Sequence, residues 1–156
     1  LLDKYNFIGN IFLITGFYDH SITSAGKEIG IENQDVINHG QIEDMVEDGW
    51  EIHSHSHTHE LEVGVEEDLR KSKRLIENRY LNYSANKMAF AYPFNDAHQD
   101  IRNVSEKLFA ASFLGRDKPY RSYEKIQEIP RIEPVEDSFC RKFILDRFAV
   151  KPWHRQ

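Results

Sequence analysis

Short apolar runs alternate along this chain with stretches whose apolar positions recur every three or four residues. Phe7 to Thr15 (FIGNIFLIT) is apolar and β-rich and ends at Gly16, which predicts a buried strand. Residues 16–38 are rich in Gly, Ser, Asn and charge and read as a long loop, a length that in a compact domain goes with function or disorder. From Gln41 to Asp48, Ile42, Met45 and Val46 fall at i, i+3 and i+4, the spacing of an amphipathic helix, and Gly49 stops it. Trp50-Glu51-Ile52 predicts a short strand running into a run of histidines. Glu66 to Tyr80 predicts a helix with Leu69, Ser72, Leu75, Ile76 and Tyr80 on one face. Its opening acids, Glu66, Glu67 and Asp68, suit the helix dipole and sit ahead of Arg70 and Lys71, a charge run read as a solvated face.

The alternation continues to the end of the chain. Lys87 to Tyr92 predicts a strand broken by Pro93, Asp100 to Phe109 a helix, and Ala110 to Leu114 a strand ending at Gly115. Ile129 to Ile132 predicts a further strand, which Pro130 places at an edge or a strand start. Ser138 to Phe148 predicts a helix with Phe139, Phe143, Ile144 and Phe148 inward. Strand and helix taking turns in this way imply an α/β fold with a largely parallel sheet or barrel.

Composition narrows the function classes. With 156 residues, 40% of them hydrophobic, the chain can bury the core of one domain over 1–156. A net charge of -6, from 26 acidic and 20 basic residues, and no basic stripe argue against a nucleic-acid binder, and leave room for an uncharged substrate such as a neutral sugar polymer. Cys140 is the sole cysteine, so no intrachain disulfide forms. No window is long and apolar enough for a membrane span, and Leu1-Leu2-Asp3-Lys4-Tyr5 is not a signal peptide. That opening reads as the end of a helix already under way, so the sequence is expected to be a piece of a longer protein.

The sharpest chemical signal is His53-Ser54-His55-Ser56-His57-Thr58-His59. In an extended segment all four rings would share one face. If the chain instead turns after Ile52, one helical turn sets His55 and His59 side by side at i and i+4. Two imidazoles so placed suit zinc and similar first-row metals, and a carboxylate must come from elsewhere. The cluster follows a strand, and in parallel α/β folds the strand C-termini form the active face. Ser54, Ser56 and Thr58 are expected to cap the next helix or to bind ring nitrogens not on metal, and His53 and His57 to lie behind the ligands or at the surface. The plain alternative is a polar surface loop that happens to be rich in histidine.

At these residues the chain resembles a family. Gly49 to Leu61 (GWEIHSHSHTHEL) looks like the second motif of polysaccharide deacetylases of the NodB-homology type, H-[ST]-x-x-H preceded by G-x-E-I, with the match at His55, Ser56 and His59 direct. Phe7 to Leu13 resembles the family's second strand, of the form ATFF. Phe90-Ala91-Tyr92-Pro93-Phe94 resembles the third motif, R-x-P-Y, with Ala91 in place of the arginine. The resemblance covers roughly residues 1–135. It implies a distorted (β/α) barrel, partial in this chain, and a metal-dependent hydrolase that removes acetyl groups. The resemblance implies the N-acetyl of GlcNAc-type polysaccharide or oligosaccharide first, a carbon–nitrogen but not peptide bond, with O-acetyl groups on xylan as the family's other target.

Carried over residue by residue, the resemblance makes His55 and His59 ligands of a divalent metal, zinc in most members. It makes the Phe94 backbone N–H an oxyanion donor and Tyr92, Pro93 and Phe94 substrate-binding. Arg131 becomes a candidate for orienting an active-site carboxylate, beside the plainer reading of an exposed or structural arginine. Tyr92, Phe94, Tyr120 and Tyr123 are candidates for stacking on sugar rings, against core packing or scattered surface. The family is mostly extracytoplasmic.

The departures are also specific. The family's first motif, T-F-D-D, supplies the catalytic base and third ligand from a strand ahead of ATFF, which here would lie upstream of Leu1; Asp3 does not fit it. The late L-x-H motif is not found, and His154 does not match it. Two expectations stand side by side: part of an active metal-dependent deacetylase, or an inactive or carbohydrate-binding form that keeps part of the metal site.

Overall fold

The computed structural model describes residues 3–5, 7–19, 36–61, 64–80, 87–115 and 125–131. Five strands form one sheet in the order β1 (Asn10–Leu13), β2 (Glu51–Ser54), β3 (Ala89–Ala91), β4 (Ala111–Gly115) and β5 (Ile129–Arg131), and every neighbouring pair is parallel. Spatial order follows chain order without reversal. A parallel sheet wound in one direction carries its helices on one face and turns the other inward, as barrels do. The expected partial (β/α) barrel is therefore what the described residues form, an open sheet rather than a closed ring.

Three helices cover the outer face: α1 (His39–Glu47), α2 (Val65–Tyr80) and α3 (Gln99–Leu108). Ile42 of α1, Leu69 and Ile76 of α2 and Ile101 of α3 join Ile52, Phe90 and Leu114 of the strands in one core. At roughly 25 cal/mol per Å² of apolar surface, such burial is what holds α2 to the sheet, because its exposed face is almost wholly charged. The opposite strand positions meet on the inner face. There the Phe12 ring touches His53 and Phe113, and the Arg131 guanidinium lies 5.7 Å from its centroid.

Several expected boundaries shift, each for a local reason. The strand expected over 7–15 shrinks to β1, because Phe7 and Ile8 stay exposed and Thr15 starts a 3-10 turn (Thr15–Phe17). Helix α1 begins two residues earlier than its apolar spacing suggests. Asn38 forms a capping box with Gln41: its side chain accepts from Gln41 N at 3.0 Å, and its own N–H donates to Gln41 Oε1 at 2.8 Å. The same helix ends as expected at Gly49, whose φ of 86° lets its N–H reach Val46 O and the Trp50 N–H reach Met45 O. Gly9 lies flat against Trp50, where a Cβ would stand 2.2 Å from the indole. Pro130 sits in β5, at the sheet's edge as expected. The helix expected over 138–148, most of the loop over 16–38, and Tyr120, Tyr123, Cys140 and His154 lie outside the described residues.

Candidate metal centre

Parallel strands place the turns that follow β1, β2 and β3 at one edge of the sheet, and those turns build the site. The turn after β1 is the 3-10 turn from Thr15. The turn after β2 is the histidine loop, and the turn after β3 is a second 3-10 turn, Pro93–Asn95. Backbone bonds stitch the first two together: His55 N donates to Leu13 O at 2.8 Å, Gly16 N to His57 O at 2.8 Å, and Thr15 N to Ser56 O at 3.2 Å.

The histidine loop is not the helical turn expected from the i, i+4 spacing. Strand β2 runs on through Ser54, and the chain then bends sharply, with φ of 70° at Ser56 and 68° at His59. The outcome for the two expected ligands is the same proximity by another route. The His55 and His59 rings lie 4.8 Å apart, nearly edge-on at 78°.

Burial and hydrogen bonding set the chemistry of each ring. His55 Nδ1 is 2.8 Å from Ala91 O. A carbonyl only accepts, so Nδ1 carries the proton and Nε2 keeps its lone pair. Burial pushes the His55 pKa down from 6.5 to about 4; the Ala91 bond opposes this, and the His59 ring and Arg131 add to it. Burial also lowers the pKa of His59, with Asp68 opposing. Both rings are thus neutral at pH 7, the form that binds metal. His59 Nδ1 is buried and has no hydrogen-bond partner among the described residues. Two adjacent neutral imidazoles, one with its tautomer preset and one with an unsatisfied nitrogen, fit a first-row metal such as zinc.

The third side of the site is Phe94. Its ring packs edge-on against His59, with centroids 4.4 Å apart, and is 65% exposed. Phe94 and Asn95 both hold positive φ, at 51° and 58°. Asn95 secures this turn by accepting from Gly115 N at 2.6 Å. Beside His59 and Phe94 opens a cleft of about 770 Å³, lined also by Pro93, Asp96, His98 and Lys71.

Other expected site residues fall elsewhere. Tyr92 is 1% exposed, and its hydroxyl lies 2.9 Å from both Ser105 Oγ and Gln127 O, so it is a core residue without a ring face for a sugar. Pro93 is buried at the cleft wall. Arg131 is half-buried on the inner sheet face, on the side of His55. His53 and His57 are buried, not at the surface. His53 Nδ1 accepts from Ala89 N at 3.2 Å, which leaves Nε2 to donate to Asn10 Oδ1 at 2.8 Å. His57 Nδ1 pairs with Thr15 Oγ1 at 3.0 Å. The loop's serine hydroxyls accept from its own backbone amides rather than binding ring nitrogens or capping a helix. Ser54 Oγ accepts from Ser56 N, and Ser56 Oγ accepts from His59 N.

One participant was hidden in the charge run of α2. Glu66 and Glu67 are solvated as expected, with Glu66 on Arg70 at 2.7 Å. Asp68 is buried instead, and its carboxylate accepts from His57 N at 2.7 Å, Thr58 N at 2.9 Å and Thr58 Oγ1 at 2.6 Å. Its place after an H-x-x-x-H loop at a helix start was a usable signal, since a carboxylate there can reach back to orphan amides.

A family profile described as polysaccharide deacetylase matches residues 1–111. The chain belongs to the polysaccharide deacetylase family. Among solved structures it is similar to IcaB from Ammonifex degensii, at 17% identity and a TM-score of 0.69, covering 90% of this chain and 62% of that one. It is similar to the Streptococcus pyogenes deacetylase PplD, solved in complex with acetate, at 18% identity and a TM-score of 0.66, covering 84% and 54%. A polysaccharide deacetylase from Bacillus cereus matches at 17% and 0.63, covering 80% and 37%. These likenesses carry the fold, and the chain spans less than two thirds of the length of each of these relatives. A search of curated proteins finds no match. No helix among the described residues is long and apolar enough to cross a membrane.

Proposed function

We propose that this chain carries the two-histidine part of a divalent-metal centre, with zinc as the metal, in a domain directed at acetylated polysaccharide or oligosaccharide. The observation that carries this reading is the neutral, adjacent pair His55 and His59 at the C-terminal edge of a parallel sheet. Among the described residues no third His, Cys, Asp or Glu joins them in a metal-holding group. The described residues therefore favour a partial metal site that binds without turning over.

The second reading, a complete metal-dependent hydrolase acting on the N-acetyl group of GlcNAc-type polymers, draws on family membership. When bound in such a site, a divalent metal polarises the acetyl carbonyl and acidifies water. The residues of this chain have defined tasks around that chemistry. His55 and His59 hold the metal in their neutral form, and Ala91 O locks the His55 tautomer. The Phe94 backbone N–H, on a turn that Asn95 pins, would receive the developing oxyanion. The Phe94 ring shields one side of His59 from water.

Zinc titration of the chain by calorimetry, together with acetate release from GlcNAc oligomers, separates the readings. The proposal expects zinc binding that is lost in His55→Ala and His59→Ala, with acetate release at background. Release that depends on His55 would establish the complete enzyme, and zinc retained by the double variant would overturn the metal site altogether.

A further inference from the structure

The histidine loop needs an anchor. Ser56 and His59 both occupy left-handed backbone conformations that non-glycine residues adopt only at a cost. Something outside the loop must over-determine that path. The backbone bonds to Leu13 and Thr15–Gly16 hold its first half, up to the carbonyl of His57. The second half, which delivers His59, turns on residues 57 and 58.

We infer that Asp68, on the first turn of α2, is the positioning residue that sets the separation of His55 and His59. The inference rests on the metal-site reading above for its consequence, but not for its geometry. The side chain is buried, and both carboxylate oxygens are used. Oδ1 accepts from His57 N, and Oδ2 accepts from Thr58 N and Thr58 Oγ1. A single rigid group thus ties three donors, on two consecutive residues between the ligands, to a helix that is itself packed into the core. The helix register is fixed by Leu69 and Ser72, both fully buried, with Ser72 Oγ 2.8 Å from Ser54 Oγ at the end of β2. Asp68 and Ser72 lie one turn apart on the same face, so α2 grips the loop at both ends: Ser72 where it leaves the strand, Asp68 where it turns toward His59.

The chemistry demands a carboxylate. An amide at this position has one acceptor oxygen and presents its NH2 group to a donor, so at least one of the two N–H contacts becomes unfavourable. Asp68 touches neither ring nitrogen of His55 or His59, and it acts through the backbone between them.

The test uses the whole chain and compares Asp68→Asn, Thr58→Val and Gly49→Ala with the parent. Thr58→Val removes one of the three donors and spares the carboxylate, so it reports even if Asp68→Asn fails to fold. Gly49→Ala disturbs the end of α1, before β2 begins and away from the loop, and controls for general loss of stability. In Asp68→Asn, amide exchange at His57 and Thr58 should quicken about tenfold or more relative to core-strand amides, as loss of hydrogen bonds to a charged group implies. The nuclear Overhauser contact between the His55 and His59 rings should vanish. Affinity for zinc ions alone should fall roughly 10- to 100-fold, the range seen when groups that orient metal ligands are lost. Thr58→Val should show the same changes in smaller measure, and Gly49→Ala none of them. Parental amide protection and ring contact in Asp68→Asn, or in Thr58→Val should the first not fold, would overturn the inference. If the parent binds no zinc, the metal reading fails, and the amide and ring readouts still decide the role of Asp68.

Discussion

Acid should destabilise this protein through His55, by an amount the structure sets. In the metal-free chain the imidazole is held below its unfolded pKa of 6.5, at about 4, chiefly because burial penalises the charged ring. Between those values the unfolded chain binds a proton that the native state refuses. Stability is therefore full above about pH 6.5 and declines as pH falls toward 4. Below that both states are protonated and the loss stops growing. At 1.36 kcal/mol per pKa unit the full loss is roughly 3 kcal/mol, a large share of the roughly 5–15 kcal/mol of a typical domain. His53, His57 and His59 are shifted in the same direction and add to the slope. The His55 share is isolated by comparing the parent with His55→Gln, which keeps a donor for Ala91 O but does not titrate. Urea unfolding from pH 7.5 to 4, in chelator, should show the parent midpoint falling further than the variant's, by about 1–3 M at m-values of 1–3 kcal/mol/M. Parallel pH profiles for the two proteins would refute the claim that the half-buried His55 is held neutral.

The remaining predictions concern the elements that frame the site. Gly9→Ala should cost about 1–3 kcal/mol in urea unfolding, because its methyl would have to displace the Trp50 indole rather than fill space. Asn95→Ala should lose about 1–2 kcal/mol, from the exposed hydrogen bond to Gly115 N and the left-handed backbone at Asn95. Asn95→Gly, which tolerates that backbone, should lose less, and equal losses would mean that φ plays no part. Zinc added to the parent at neutral pH should raise the unfolding midpoint with the logarithm of its concentration above Kd, and His59→Ala should abolish that rise without abolishing folding.

Much of the framework was legible in the pattern of apolar positions. Helix α2 follows its face of Leu69, Ser72, Ile76 and Tyr80 closely, and β3 and β4 lie within the runs that predicted them. The errors cluster where a contact from another element overrides a local signal. Phe7 and Ile8 look like strand interior by hydropathy but stay exposed outside β1. Tyr92 looked like a sugar-facing aromatic because it adjoins Pro93 and Phe94. Strand alternation turns it outward under α3 instead, where Ser105 and Gln127 satisfy its hydroxyl. Periodicity alone passed over Asp68 among the acids of its helix, since it says which face a residue occupies and not whether an unpaired amide waits there; only its place just after the histidine loop hinted at the role.

The histidine pair shows the division clearly. Local sequence determined that His55 and His59 are four residues apart behind a strand, that the chain resembles polysaccharide deacetylases, and that strand and helix alternate as in a parallel sheet. Tertiary structure alone decided how the two rings meet. The partner that sets the His55 tautomer, Ala91 O, lies 36 residues further along the chain, and the carboxylate that bends the loop lies on the next helix. Hydrogen-bond partners brought together by packing across strands leave no periodic trace in the sequence. The positions of the two histidines can therefore be read from a short motif, while the geometry and charge that suit them to a metal cannot.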